Sequence, residues 1–187
     1  LLLDGLQAER EQGITIDVAY RFFETEKRKF VAADAPGHEQ YTRNMVTAAS
    51  NCKAAIVLVD ATKGVIQQTK RHSFLASLLG LKHIILAVNK MDLVNFDNSI
   101  YEAISDSFRS FANTLDFDDV ICVPICALKG DNICVISGEM EWYSGPTLLS
   151  LLEAIDTGKN NADGPFRLPI QWVNRPSREF RGYCGNI

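Results

Sequence analysis

Three unbroken apolar runs constrain this chain more than any other feature. They are AAIVLVD at 54–60, HIILAVN at 83–89 and DVICVPIC at 119–126. A strand with one face in water alternates apolar and polar residues, whereas a continuously apolar strand is covered on both faces. Three such runs, separated by segments of helical period, predict a parallel α/β sheet with flanking helices and right-handed crossovers. One helix is expected over residues 67–79, with Gly80 just past its end. A second has Ile100, Ile104, Phe108, Phe111 and Leu115 on one stripe and Ser99 as its N-cap. A third lies in GPTLLSLLEAI, with Pro146 at its start.

The ends of the chain read differently. Ile14, Ile16, Val18, Tyr20 and Phe22 alternate at period two, as in a half-buried strand. ETEK is its polar turn, and RKFVAAD returns to Asp34. TGKNNADGP, from Thr157 to Pro165, is a polar linker, and FRLPIQWV begins a new element. This divides the chain into an α/β domain at 1–157, a linker at 158–165 and the start of a second, β-rich domain at 166–187.

Composition narrows the partners. The net charge is −4 and the pI about 5.4. No bulk basic field favours nucleic acid or an acidic membrane surface. No apolar run reaches the length of a membrane span. The opening residues lack the basic start of a signal peptide and include no initiator methionine. The five cysteines are odd in number and contain no C-x-x-C pair. Free thiols in a reducing cytoplasm are expected, and the C-x₃-C of Cys122 and Cys126 is not a zinc-knuckle spacing.

Ligands of parallel α/β sheets bind at the carboxyl ends of the strands. Three strands here end in polar sequences: Asp34-Ala35-Pro36-Gly37-His38, Asn89-Lys90-Met91-Asp92 and Cys126-Ala127-Leu128-Lys129. Each alone is compatible with a turn and local side-chain bonds. In this order, on consecutive sheet positions, they point to a guanine nucleotide. Asp92 can accept from the N1 and N2 edge of guanine, an edge that adenine lacks. Hydrogen bonds to a charged group contribute about 1.5–3 kcal/mol each. Asn89 can bond the base and pin its neighbours, and the Lys90 stem can lie over the purine face. The amides of Ala127 and Leu128 can meet the base oxygen. Asp34 suits Mg²⁺, which takes oxygen ligands, and Thr15 is its candidate second ligand. Gly37 lets a γ-phosphate approach the backbone. His38 stands where a side chain can orient the attacking water.

These motifs resemble the translation-factor branch of P-loop GTPases. Within it, LQAEREQGITIDVAYRFFETEKRKF, PGHEQYTRNM, RHSFLASLLG, ALKGDN and WYSGPTLLSLLE resemble the GTPase (large) subunits of bacterial-type ATP sulfurylases. VNRPSREFRGYCG resembles the start of their β-barrel second domain. The resemblance covers nearly the whole chain. It implies GTP and Mg²⁺ as cofactors and a cytoplasmic location. It also implies a small, adenylylating partner subunit that makes adenosine 5′-phosphosulfate from ATP and sulfate, driven by GTP hydrolysis here. Cys126 departs from the usual serine, and Lys53 stands where an acidic residue is usual. No G-x-x-x-x-G-K-[ST] occurs in the 187 residues. The resemblance places that loop and its strand before Leu1, so residues 1–187 alone are expected to bind GTP weakly and not to hydrolyse it. Two other readings are an elongation-factor-like translational GTPase and the N-terminal part of a bifunctional sulfurylase with an adenylylsulfate kinase.

Overall fold

A computed structural model describes residues 15–156 and 166–185. Ile14 and the 157–165 linker lie outside the described residues. The chain divides into two compact units, Leu1–Ile155 and Asp156–Ile187.

In the first unit, strands β1 (Ala19–Glu24) and β2 (Lys29–Asp34) precede helix α1 (Thr42–Ala49). Strand β3 (Ala54–Asp60), helix α2 (Gln67–Leu78), strand β4 (His83–Asn89), helix α3 (Asn98–Ala112), strand β5 (Asp119–Pro124) and helix α4 (Leu148–Ala154) follow. Strands β3, β4 and β5 form the expected parallel sheet, with β4 central. Its register aligns Asp60 with Asn89 and Val88 with Pro124, so the polar ends of all three strands share one edge.

Burial explains the apolar runs. Ile84, Leu86 and Val88 of β4 face a core with Tyr101, Ile104 and Phe108 of α3. Ile85 and Ala87 face the opposite side with Val123, Ile125 and Leu151. Alternate residues point to opposite faces, so a strand packed on both sides must be apolar throughout.

Strand β3 does not fully meet that expectation. Ala55, Val57 and Val59 join the core, but Ile56 and Leu58 remain exposed. Its second face is open among the described residues. Helix α2 ends as expected, with Gly80 at φ +84° beyond the Leu79 cap. Asp97, not Ser99, caps α3: its carboxylate accepts from the amides of Ser99 at 2.7 Å and Ile100 at 3.3 Å. The backbone of Asp97 is extended, the conformation a cap requires, and its charge suits the positive end of the helix. Leu115 falls beyond the last turn. Pro146 likewise lies outside α4, because the Thr147 hydroxyl oxygen accepts from the Ser150 amide and starts the helix at Leu148.

The β1–β2 hairpin forms around the predicted turn, pairing Ala19 with Asp34 and Glu24 with Lys29. Among the described residues it is a separate two-stranded sheet. Asp34 therefore does not end a strand of the β3–β5 sheet, contrary to the expectation of consecutive positions. Without that pairing, Tyr20 and Phe22 are exposed rather than half-buried. The hairpin turn is tied elsewhere. Arg28 Nη1 donates to the carbonyls of Leu152 at 3.2 Å and Ile155 at 2.7 Å, satisfying acceptors that the end of α4 leaves open. Lys27 pairs with Glu153 at 2.8 Å.

In the second unit, β6 (Trp172–Asn174) pairs antiparallel with β7 (Gly182–Cys184). FRLPIQWV thus gives a strand only at its end. This pair fits the start of a β-barrel. All five cysteines are free.

Candidate functional site

The edge shared by β3, β4 and β5 carries a network of short polar contacts. Asn89 Oδ1 accepts from the amides of Lys90 at 2.7 Å and Ala127 at 3.0 Å. An amide oxygen has two lone pairs. Both are engaged, so Asn89 has only its Nδ2 donors left for a ligand. Lys90 sits in the left-handed region at φ 64° and ψ 36°, which is costly for a side-chain-bearing residue. The Asn89 bond to its amide helps hold it there. Met91 is fully buried, and its side chain anchors the loop in the core. Asp92 follows, half-buried, and Cys126 Sγ donates to its Oδ1 at 3.2 Å.

A cleft of about 260 Å³ lies over these residues, lined by Asn89, Lys90, Asp92, Leu93 and Leu128. Leu93 is 62% exposed and Leu128 88%. The cleft combines an acceptor-only carboxylate, a donor-only amide and apolar rims. That set suits a flat heteroaromatic ring with donors on one edge and acceptors on another.

One participant was not singled out from the sequence. Asp60, the last residue of β3, accepts from Lys90 Nζ at 2.7 Å through Oδ2. Its Oδ1 accepts from the Thr62 amide at 2.9 Å and hydroxyl at 2.6 Å. The Lys90 bond, then the Thr62 bonds, hold the Asp60 carboxyl down at about 2. The signal was present: AAIVLVD also ends in an acid at the carboxyl end of an apolar strand.

The remaining predicted residues lie around the end of β2. Asp34 and Ala35 are half-buried and Pro36 is buried. Beyond its two chain neighbours, nothing lies within 4 Å of where a Cβ on Gly37 would stand, so its backbone is approachable. His38 is exposed, and its Nδ1 accepts from the Gln40 amide at 3.4 Å, at the start of a short 3₁₀ turn. Glu39 of that turn pairs with Arg71 of α2 at 2.6 Å. Thr15 is half-buried in the segment before β1. That segment is tied to α1 by a 2.8 Å bond from Asn44 Nδ2 to the Ile16 carbonyl. Residues 60, 89–92 and 126–128 thus form one cluster. Thr15 and residues 34–38 belong to the hairpin side. Among the described residues, no group of three or more His, Cys, Asp or Glu is arranged to hold a metal.

The thiol contact to Asp92 has a measurable consequence. In the full-length protein, Cys126→Ser should hold GDP as tightly as the parent or a few-fold tighter, because a hydroxyl is the stronger donor. Cys126→Ala should weaken GDP about fivefold, the value of one ordinary hydrogen bond near 1 kcal/mol. Equal GDP titrations for parent and Cys126→Ala would show that the thiol does not position Asp92.

The chain is similar to known proteins along its whole length. Sulfate adenylyltransferase subunit 1 of Yersinia pseudotuberculosis serotype O:1b (strain IP 31758) is 60% identical over the whole chain, which covers 39% of that protein. The protein of that name from Vibrio vulnificus (strain YJ016) is 58% identical, again over the whole chain and 40% of its own length. The bifunctional enzyme NodQ of Rhizobium sp. (strain N33) is 58% identical over the whole chain and 29% of its own length. The chain thus spans about two fifths of the first two relatives. Among solved structures, a bacterial selenocysteine-specific elongation factor, EF-Sec, superposes with a TM-score of 0.65 at 24% identity, covering 83% of this chain and 25% of that one. At that identity the likeness shows the fold alone. Residues 1–160 match the elongation factor Tu GTP binding domain; with that match over most of its length, the chain belongs to that domain's family.

Proposed function

We propose that this chain is the GTP-binding and GTP-hydrolysing part of a sulfate adenylyltransferase large subunit. In that role it couples GTP hydrolysis to the formation of adenosine 5′-phosphosulfate from ATP and sulfate. The observation that carries the reading is the 58–60% identity to sulfate adenylyltransferase subunit 1 along the whole chain. The cleft supports the nucleotide half of it: Asp92 offers acceptors to N1 and N2 of guanine, and Asn89 offers donors to the opposite edge. The open amide at Gly37 suits a phosphate. Thr15 and Asp34 offer two oxygens to Mg²⁺, whose remaining ligands come from water and phosphate. His38 orients the attacking water.

On this reading residues 1–157 are the GTPase domain, 158–165 its linker and 166–187 the first part of a β-barrel domain. The partner is the small, adenylylating subunit, and the complex works in the cytoplasm. No helix among the described residues is long and apolar enough to cross a membrane. The acidic balance gives nucleic acid no basic field to meet. The likeness to a bifunctional enzyme, NodQ, suits a second reading, in which the same domain is the N-terminal part of a bifunctional protein; on the family resemblance its other activity would be an adenylylsulfate kinase.

Co-expression of the full-length protein with the small subunit should yield a co-purifying complex. That complex should form more adenosine 5′-phosphosulfate when GTP is supplied, because adenylyl transfer to sulfate is steeply uphill by itself. An extent of product formation that does not respond to GTP refutes the coupling.

A further inference from the structure

We propose that Asp60 is a positioning residue for the base cleft, holding Lys90 so that its aliphatic stem forms a fixed wall. This rests on the guanine-nucleotide reading of the cleft and adds a residue outside the polar motifs that define it. Lys90 is fixed at both ends. Its backbone is kept left-handed, with its amide on Asn89 Oδ1 at 2.7 Å. Its ammonium is bound to Asp60 Oδ2 at 2.7 Å. Asp60 is itself held, because its other oxygen is engaged twice by Thr62. The anchor is built into the sheet: β3 pairs with β4 so that Asp60 lies directly beside Asn89.

A lysine side chain has four rotatable methylene bonds. Left free on a surface, it would sample many rotamers, and a ligand stacking on it would have to order them. Ordering one such side chain costs binding roughly what a several-fold change in affinity represents. Here that ordering precedes the ligand. The four methylenes between Cα and the ammonium run from the cleft loop to the end of β3, with Leu93 and Leu128 as the other apolar residues of the cleft.

The experiment is a double-mutant cycle on the full-length protein, with GDP as probe. Asp60→Asn keeps the shape and an acceptor for Thr62 but removes the charge that binds Lys90. Lys90→Met keeps an unbranched apolar stem but removes the ammonium. Asp60→Asn should weaken GDP about five- to tenfold, mostly through faster dissociation, with an unchanged melting temperature. In the Lys90→Met background the same substitution should change GDP affinity less than about twofold. Asp60→Glu, which restores the charge, should recover part of the loss. Equal losses in both backgrounds, or no loss from Asp60→Asn, overturn the proposal. Two controls separate it from the reading beneath it. If the parent does not bind GDP, or Asp92→Asn leaves GDP affinity unchanged, the cleft is not a guanine site and this inference falls with it. If both controls behave and Asp60→Asn is silent, only the role of Asp60 falls.

Discussion

Asp92→Asn in the full-length protein should lower GDP affinity by at least about two orders of magnitude and raise affinity for XDP. The carboxylate offers acceptors to both N1–H and N2–H₂ of guanine. Its amide replacement keeps one acceptor and turns a donor toward the exocyclic amine, so one bond is lost and a donor faces a donor. Hydrogen bonds to charged groups contribute about 1.5–3 kcal/mol each, and a buried unpaired group costs a similar amount. Together these exceed the 2.8 kcal/mol or so that corresponds to a hundredfold change. Xanthine carries an oxygen where guanine carries the amine, and the new donor fits it. Affinities for GDP and XDP, measured side by side, test this. A GDP affinity unaltered by the substitution removes Asp92 from base recognition, and the cleft needs another ligand.

His38→Ala should leave GTP affinity nearly unchanged and slow single-turnover hydrolysis about a hundredfold, the scale on which a misplaced reacting group costs rate. The geometry makes the role more specific. His38 Nδ1 accepts from the Gln40 amide, so the neutral ring carries its proton on Nε2. The free nitrogen is then a donor. It can hold a water by its lone pair but cannot take a proton from it. His38→Gln, which supplies an amide donor at similar reach, should therefore recover a large part of the rate. A base could not be replaced in this way. Equal rates for parent and His38→Ala exclude the residue from hydrolysis, and a glutamine variant as slow as the alanine variant refutes the donor role.

The sheet was legible where burial was complete. Strand β4 is apolar at every interior position because helices α3 and α4 cover opposite faces of it, and no other arrangement accounts for Ile84 to Val88. Strand β3 has the same composition, but Ile56 and Leu58 remain exposed. Side-chain character records what a strand prefers, not what lies against it. The hairpin was legible as two strands and a turn, since both are local. That it stands as a separate sheet among the described residues was not, because pairing between distant strands leaves little trace in either strand. Asp97 and Ser99 are equally good caps in composition. The extended backbone at Asp97 decides between them.

The site divides in the same way. Asn89, Asp92 and Cys126 stand out by their place at or just beyond the ends of apolar runs. The bond from Cys126 to Asp92 and the pair between Asp60 and Lys90 do not, since both depend on strand register and on a left-handed residue at position 90. Sequence shows which groups are available at the edge of the sheet. Register decides which of them meet.

The bonds from Arg28 to the end of α4 join residues 124 and 127 positions apart. Closing so long a loop costs more entropy than closing a short one, and that cost falls once the elements between its ends are in place. In folding it is therefore expected late, after the sheet has brought the last helix into reach. In the folded protein it should make the hairpin turn and the final turn of α4 one cooperative unit. Native-state hydrogen exchange should show the amides of both turns opening together, and Arg28→Met should release them together while the amides of β4 keep their protection.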